Sequence, residues 1–322
     1  MKWVTGVNIA PSEKKIGYND KILLLGSCFA DNIGERFAAH YFQATVNPLG
    51  TLYNPASIAH ALTDALIPQS DPRIVQHNGM WHSMMHHGSF SHPDKEALLH
   101  RCAESRELMI SALKEVSTVI VTFGTAWVYE WQGEVVANCH KLPANQFVRR
   151  CLNVDDIVGM WQPIVASMPD KHWIFTVSPI RHIKDGLHAN QLSKAVLLQA
   201  IDHLTSNNAA VSYFPSYEIM LDELRDYRFY ASDMLHPSEV AVKYIGEQFK
   251  EAWLDHSEEN LNQRIERLIK GCQHRPFDNT SEQYRRFIDG LYQDFVALKT
   301  AYPELDLSQE QIFLNQAGYN TD

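Results

Sequence analysis

The sequence predicts an α/β fold in which a central parallel sheet is covered by helices on both faces. The first observation is a recurrence of short apolar or β-branched runs, at residues 22–25, 118–123, 172–177 and 210–214. Such runs are typical of strands that are buried on both faces. The second observation is that the segments between these runs are long and carry helical patterns. Parallel strands need crossovers of this length, and ligand sites in such sheets lie at the carboxyl ends of the strands.

The first predicted strand ends in Gly26-Ser27, immediately before a helical pattern begins. The apolar residues of that helix recur in four-residue steps, at Phe29, Ile33, Phe37 and Tyr41. Ser27 therefore lies at a strand-to-helix junction, where free backbone N–H groups and the helix dipole favour developing negative charge. A hydroxyl in this place is well positioned to be a nucleophile. Two alternatives stay open, because Ser is also a common N-cap residue and because Cys28 is a rival nucleophile.

The elements that follow are predicted in chain order. Residues 43–46 form a short strand, and residues 47–55 form a loop rich in Pro, Gly and Asn. Residues 71–93 lack a regular pattern, and loops of that length are often lids or binding loops. A hairpin is expected at Gln132-Gly133. Helices are predicted for residues 56–66, 94–115, 155–168, 188–205 and 238–252.

Histidines are concentrated in the segment from His77 to His92. Its members His82 and His86 stand four residues apart, a spacing familiar from metal sites on helices. The segment contains no Glu, and a polar rim or a substrate-binding surface is the simpler interpretation. Farther along, His182 and its basic neighbours are expected either to bind an anionic group or to pair with acids on a solvated face.

Composition limits the classes of partner. The 322 residues include 28 Lys and Arg against 38 Asp and Glu, a formal charge of −10, which argues against nucleic acid and anionic membranes as partners. The N-terminus lacks a long apolar segment and no later run is long enough to span a membrane, so a cytoplasmic location is expected. Five cysteines without CxxC spacing favour reduced thiols. No cofactor is predicted, and the sequence does not indicate an oligomeric state.

The composition changes after Trp253. Residues 258–272 and 281–300 are charge-rich helical stretches separated by a polar segment. The predicted organisation is therefore a catalytic α/β domain over residues 1–255 and a helical C-terminal extension over residues 256–322.

Asp233 and His236 form the second candidate group. Pro237 disfavours helical dihedrals at His236 and is suited to the first turn of a helix, so the imidazole belongs to the loop before that helix. Asp233 stands three residues earlier, within reach of the ring. A carboxylate that holds one ring nitrogen protonated leaves the other free to take a proton from a hydroxyl. A purely structural hydrogen bond is the alternative interpretation.

The chain resembles the GSCFA-domain family, which is named for the string found here at residues 26–30, and that family in turn resembles the SGNH/GDSL hydrolases and acyl-esterases. The resemblance runs from about Lys21 to about Lys250. Further motifs carry it, at residues 47–55, 124–129, 138–141, 178–182 and 233–237. It implies a flavodoxin-like three-layer α/β/α fold with Ser27 as nucleophile, His236 as base and Asp233 as the partner that orients the base.

The resemblance also implies an oxyanion site, made by the backbone N–H of Ser27, by a glycine N–H for which Gly50 is the candidate, and by an Asn side chain. The chain departs from this pattern, because Gly124-Thr125-Ala126 stands where Gly-x-Asn is expected. Loss of one such donor costs about 3–4 kcal/mol of transition-state stabilisation. The replacement donors proposed from the sequence are Thr125, Asn54 and Asn138; Asn54, Asn138 and His182 are also the candidate substrate-binding residues.

The expected function is that of a serine esterase-type hydrolase or acyltransferase. Its substrate would be an O-acyl ester, with O-acetyl favoured, of a carbohydrate or another small hydroxylated compound. Two alternatives are a ligand-binding protein that keeps the fold without catalysis, and a metal-dependent hydrolase that uses the segment from His77 to His92.

Overall fold

The computed structural model describes residues 5–66, 72–255, 259–303 and 305–319. Its strands are β1 Lys21–Gly26, β2 Gln43–Val46, β3 Ile74–His77, β4 Met80–Ser83, β5 Ser91–His92, β6 Thr118–Phe123, β7 Trp127–Trp131, β8 Glu134–Val136, β9 Phe147–Cys151, β10 His172–Val177 and β11 Val211–Phe214. Its α-helices are α1 Cys28–Ala39, α2 Pro55–Leu66, α3 Lys95–Glu115, α4 Val154–Ser167, α5 Gly186–Ser206, the single turn α6 Ser216–Glu218, α7 Glu239–Trp253, α8 Glu259–Gln273, α9 Glu282–Ala301 and α10 Ser308–Gln316. None of the helices within these described ranges is both long enough and apolar enough to cross a membrane.

The central sheet has five parallel strands in the order β11-β10-β6-β1-β2. This is the strand order of flavodoxin-like doubly wound folds. The predicted strands at the centre of the sheet are confirmed as β1, β6 and β10. These strands are buried almost throughout, which explains why their sequences are apolar or β-branched. The carboxyl ends of all five strands meet at one edge of the sheet.

Alternate residues of β1 serve two separate cores, which is why its sequence is continuously apolar. Leu23 and Leu25 pack into a core shared with α2, α3, α4 and α5. Ile22 and Leu24 pack on the opposite face, into a core shared with α1 and α7. The predicted three-layer α/β/α architecture is confirmed by these two cores.

Helices α8, α9 and α10 form the C-terminal helical part, as predicted for α8 and α9. Their apolar side chains, including Ile265, Leu291 and Leu314, belong to the same core as α1 and α7. Gly271 permits the close approach of two of these helices, since a Cβ there would lie 2.2 Å from Leu291 Cδ1. Helix α10 was not predicted, because its nine residues are mostly polar.

Two small antiparallel sheets extend from the fold. The first, β3-β4-β5, corrects the prediction of an irregular loop over residues 71–93; residue 71 itself lies outside the described residues. The second sheet, β8-β7-β9, contains the predicted hairpin, whose turn residues Gln132 and Gly133 both have positive φ. Its outer strand β9 was not predicted.

Candidate active site

The turn that carries Ser27 is built on a glycine. Gly26 has φ +130°, and a Cβ there would lie 2.1 Å from Thr122 O, so only glycine lets the end of β1 lie this close to β6. Ser27 follows as the N-cap of α1, and its Oγ accepts the Phe29 N–H at 3.4 Å. The capping alternative is therefore realised in this structure. A capping hydroxyl at the sheet edge and helix N-terminus is still positioned for chemistry.

The loop after β2 supports this turn from one side. Asn47 Oδ1 accepts the Gly26 N–H at 2.8 Å, and Asn47 Nδ2 donates to Asp31 Oδ1 at 2.6 Å. Leu52 N–H donates to Gly26 O at 2.9 Å. The loop predicted at residues 47–55 thus holds the strand-to-helix junction in place.

Ser27 is 0% exposed. Its own N–H donates to Thr122 O at 3.1 Å, which extends the hydrogen bonding between β1 and β6 by one residue. An ester reaches the hydroxyl only when neighbouring groups move aside, and the predicted oxyanion role of the Ser27 N–H requires this bond to be exchanged.

The Cys28 thiol is partly exposed beside Ser27. Burial, and then the charge of Asp31, raise its pKa above the ordinary value. At neutral pH the group is a thiol rather than the thiolate that acts as a nucleophile. Like the Ser27 hydroxyl, this thiol would need a general base to act as a nucleophile.

Asp233 and His236 are joined by a hydrogen bond of 2.5 Å between Asp233 Oδ2 and His236 Nδ1. Asp233 Oδ1 accepts the N–H groups of His236 and Leu235 at 3.0 and 2.9 Å. These backbone bonds, followed by the bond to the imidazole, lower the pKa of Asp233 to about 2. The carboxylate is therefore charged at neutral pH and fixes one ring nitrogen as a donor.

A second loop holds this pair at the sheet edge. In the segment after β10, Arg181 N–H donates to Leu235 O at 3.3 Å, and its guanidinium donates to Met234 O. The same guanidinium lies 4.4 Å from the centre of the Tyr230 ring. Arg181 therefore contributes to loop packing, which favours the structural one of the two interpretations given for the basic residues there.

His182 lies close to Ser27. A Cβ placed on Gly124 would lie 3.3 Å from Ser27 Cβ and 3.4 Å from His182 Nε2, so these two atoms flank the same point. Burial, and then the charges of Lys194 and His236, lower the pKa of His182 to about 4. The contribution of His236 to this pKa indicates that its ring lies within electrostatic range of His182.

No hydrogen bond joins Ser27 Oγ to an imidazole among the residues that the structure describes. The side chain of His236 is 49% exposed, and Asp233 is 44% exposed. The structure thus brings together the predicted base and its predicted carboxylate partner, and Ser27 Cβ and His182 Nε2 flank one point. The direct Ser27–His236 contact stays a prediction.

Gly50 has its N–H engaged. The group donates to Asn47 O at 2.7 Å, closing a turn in which Gly50 has φ +76°. A Cβ there would lie 2.4 Å from His87 Cβ, so glycine is needed for packing. The oxyanion role predicted for Gly50 requires its N–H to leave this turn.

Thr125 is likewise tied into the fold. Its N–H donates to Tyr53 O at 3.0 Å, and its hydroxyl lies 3.1 Å from Ser193 Oγ. Trp127 N–H donates to the same hydroxyl oxygen at 3.1 Å. These bonds hold the loop after β6 against α5. Either hydroxyl of the Thr125–Ser193 pair can be the donor, and the oxyanion role of Thr125 stays a prediction.

The two asparagines also have local structural partners. The buried Asn54 accepts the Ser57 N–H at 2.8 Å and donates to Ser57 Oγ at 3.0 Å, stabilising the start of α2. Asn138 Oδ1 accepts the His140 N–H at 2.8 Å. Both side chains therefore have hydrogen bonds within their own loops, and their predicted oxyanion and substrate-binding roles stay predictions.

Histidines of the 77–92 segment are engaged in short local hydrogen bonds. His82 Nδ1 lies 2.7 Å from Ser91 Oγ, and His86 Nδ1 lies 2.7 Å from Ser83 Oγ. Burial is the main cause that lowers the pKa of His86 to about 4. Within the described ranges, no three side chains of His, Cys, Asp or Glu are grouped as metal ligands.

A family model described as the GSCFA family matches residues 21–249, more than two thirds of the chain. The chain belongs to the GSCFA family. A second model, described as the C-terminal domain of the GSCFA domain protein, matches residues 265–317. No curated protein matches the sequence. The GSCFA match begins with β1 and includes Ser27, Asp233 and His236.

Sequence reasoning missed Lys194, which lies within the GSCFA match and is almost completely buried. Its Nζ donates to Gly124 O at 2.6 Å and to Ser178 O at 2.7 Å, linking the loops after β6 and β10. Burial lowers its pKa to about 7. One signal was available: Lys194 stands in the apolar stripe of α5 with Leu197 and Ile201.

Proposed function

We propose that this GSCFA protein is a serine esterase-type hydrolase or acyltransferase. Its substrate would be an O-acyl ester, with O-acetyl favoured, on a carbohydrate or another small hydroxylated molecule. The observation that carries the proposal is the Asp233–His236 hydrogen bond at the sheet edge where Ser27 begins α1. The resemblance to SGNH/GDSL hydrolases supports the same roles, and it is the basis for the acetyl-carbohydrate class.

The proposed reaction has two acyl-transfer steps. Ser27 Oγ attacks the ester carbonyl carbon while His236 Nε2 takes the hydroxyl proton, and Asp233 stabilises the resulting imidazolium. The tetrahedral intermediate then breaks its bond to the alcohol, which leaves with the proton from His236. Water or an acceptor hydroxyl next gives its proton to His236 and attacks the acyl-serine carbonyl carbon. The second tetrahedral intermediate breaks its bond to Ser27 Oγ, which takes the proton from His236, and the acid or the new ester leaves.

The fold supplies two features that such a reaction needs. The N-terminus of α1 places the positive end of the helix dipole next to the reacting hydroxyl. The backbone bonds to Asp233 keep its carboxylate charged and fixed, so that the His236 proton stays on Nδ1 and Nε2 is free to act as a base.

The test is a panel of short-chain aryl and sugar O-acyl esters, comparing native protein with Ser27→Ala. We expect native turnover that falls at least about 10³-fold in the variant, while the melting temperature changes little. Cys28→Ala is the matched control, and it should keep most of the native rate. Equal turnover by native protein and Ser27→Ala would exclude Ser27 as the nucleophile.

A non-catalytic ligand-binding protein is the second candidate. It is favoured by the complete burial of Ser27 and by the engagement of its N–H with Thr122 O. This candidate predicts saturable binding of an acylated sugar without release of acid. The enzyme proposal predicts that the same ligand is consumed.

A further inference from the structure

The site contains one ring nitrogen without a partner next to Ser27. His182 Nε2 is buried and has no hydrogen-bond partner within the part of the chain that the structure describes. An unpaired buried polar atom costs about 1–3 kcal/mol. Atoms in this state are found where a ligand or a reacting group supplies the missing partner.

The position of the ring is fixed by its surroundings. His182 N–H donates to Asn190 Oδ1 at 2.9 Å, and the buried Asn190 belongs to α5. The Tyr53 ring meets the imidazole edge to face, with centres 6.2 Å apart. A Cβ on Gly124 would lie 2.9 Å from Tyr53 O as well as 3.3 Å from Ser27 Cβ and 3.4 Å from His182 Nε2, so glycine is what lets these three groups lie close together.

The other groups expected to donate to an oxyanion already make hydrogen bonds within the fold. Thr125 and Gly50 donate their N–H groups to backbone carbonyls, and Asn54 binds Ser57. Their release would break a turn, a loop contact or a helix start. His182 Nε2 flanks the same point as Ser27 Cβ and has no hydrogen bond to give up, so its use as a donor breaks no contact of the fold.

We propose that His182, through its Nε2–H, is the side-chain donor that stabilises the oxyanion when Ser27 attacks an ester. The imidazole takes the part that an Asn plays in the resembled hydrolases, and it comes from the loop after β10 instead of the loop after β6. This assignment rests on the proposed function and deepens it.

The surroundings of His182 and His236 differ, which suits His182 to the role of donor and His236 to the role of base. Burial is the main cause that lowers the pKa of His182 to about 4, with smaller electrostatic contributions from Lys194 and His236. A neutral imidazole has one N–H to donate, and it is a weak base at this pKa. His236 has Asp233 on its Nδ1, whereas no carboxylate bonds the His182 ring among the described residues.

The experiment compares His182→Ala with His182→Gln, using kcat and KM for an aryl acetate across pH. The Gln amide donates a hydrogen bond from nearly the place of Nε2 and does not titrate near neutral pH. We expect kcat to fall about 10²–10³-fold in the Ala variant with little change in KM. The Gln variant should recover to within about tenfold of native, with the native shape of the pH profile.

Two controls separate this assignment from the general proposal. His203→Ala, an exposed histidine on the same helix as Asn190, should keep native kinetics. Native rates in His182→Ala, with Ser27→Ala inactive, would overturn the donor role alone. If His182→Gln and His182→Ala are both folded and equally inactive, the result would assign proton transfer, instead of hydrogen-bond donation, to His182. Equal rates for native protein and Ser27→Ala would overturn both proposals.

Discussion

Lys194→Met tests whether a titrating ammonium lies beneath the candidate site. The native pKa of Lys194 is lowered from 10.5 to about 7, mainly by burial. Since a tenfold change in proton affinity corresponds to about 1.4 kcal/mol, burying the charged form costs at most about 5 kcal/mol. This cost is present in full below about pH 7 and is relieved as pH rises, because the unfolded lysine keeps its proton up to about pH 10.5.

The sign of the effect follows from proton counting. Between about pH 7 and pH 10.5 the unfolded chain binds more protons at this group than the folded chain, so the free energy of unfolding rises with pH. Methionine fills similar space and does not titrate. It leaves Gly124 O and Ser178 O without their donor, at about 1–3 kcal/mol each and independently of pH.

The assay is urea denaturation of native protein and Lys194→Met from about pH 6.5 to about pH 9.5. The stability of native protein relative to the variant should increase with pH by up to about 1.4 kcal/mol per pH unit above pH 7. Lys243→Met, at an exposed position, is the control and should run parallel to native protein. If the free energy of unfolding of Lys194→Met changes with pH in parallel with that of native protein, the lowered pKa of Lys194 is refuted.

Three further substitutions test the site and the turn beneath it. Asp233→Asn should lower kcat for an aryl ester about 10²–10⁴-fold without unfolding the protein, and an unchanged kcat would remove the orienting role. Asn54→Ala should lower the free energy of unfolding by about 1–2 kcal/mol, since Ser57 N–H loses its acceptor, and should leave KM unchanged; a raised KM at native stability would instead show substrate binding. Gly26→Ala should destabilise by about 3 kcal/mol or more in urea denaturation, because its Cβ meets Thr122 O; a variant as stable as native protein would contradict the strained turn.

The central strands were predictable because burial on both faces leaves a continuous apolar signature, as in Leu23 and Leu24 of β1. Strands β3, β4 and β5, between residues 74 and 92, were not predictable, since they are at most four residues long and their histidines gave no period of two. Periodicity needs more residues than such strands provide.

The Asp233–His236 pair was predictable because its members lie three residues apart, so one loop decides the contact. The neighbourhood of His182 depends instead on how the loops after β6 and β10 pack, over many intervening residues. The same long-range packing directs the Thr125 hydroxyl to Ser193 and encloses Lys194. The residues next to Thr125 and Lys194 in the sequence do not indicate which distant residues they contact.

The most direct measurement for the esterase account is covalent labelling with a fluorophosphonate, followed by digestion and mass spectrometry of the modified peptide. The account predicts one phosphonylated residue, Ser27, with labelling lost in Ser27→Ala and retained in Cys28→Ala. Intact, folded protein that takes up no label, or that takes it up on a residue other than Ser27, would contradict the account.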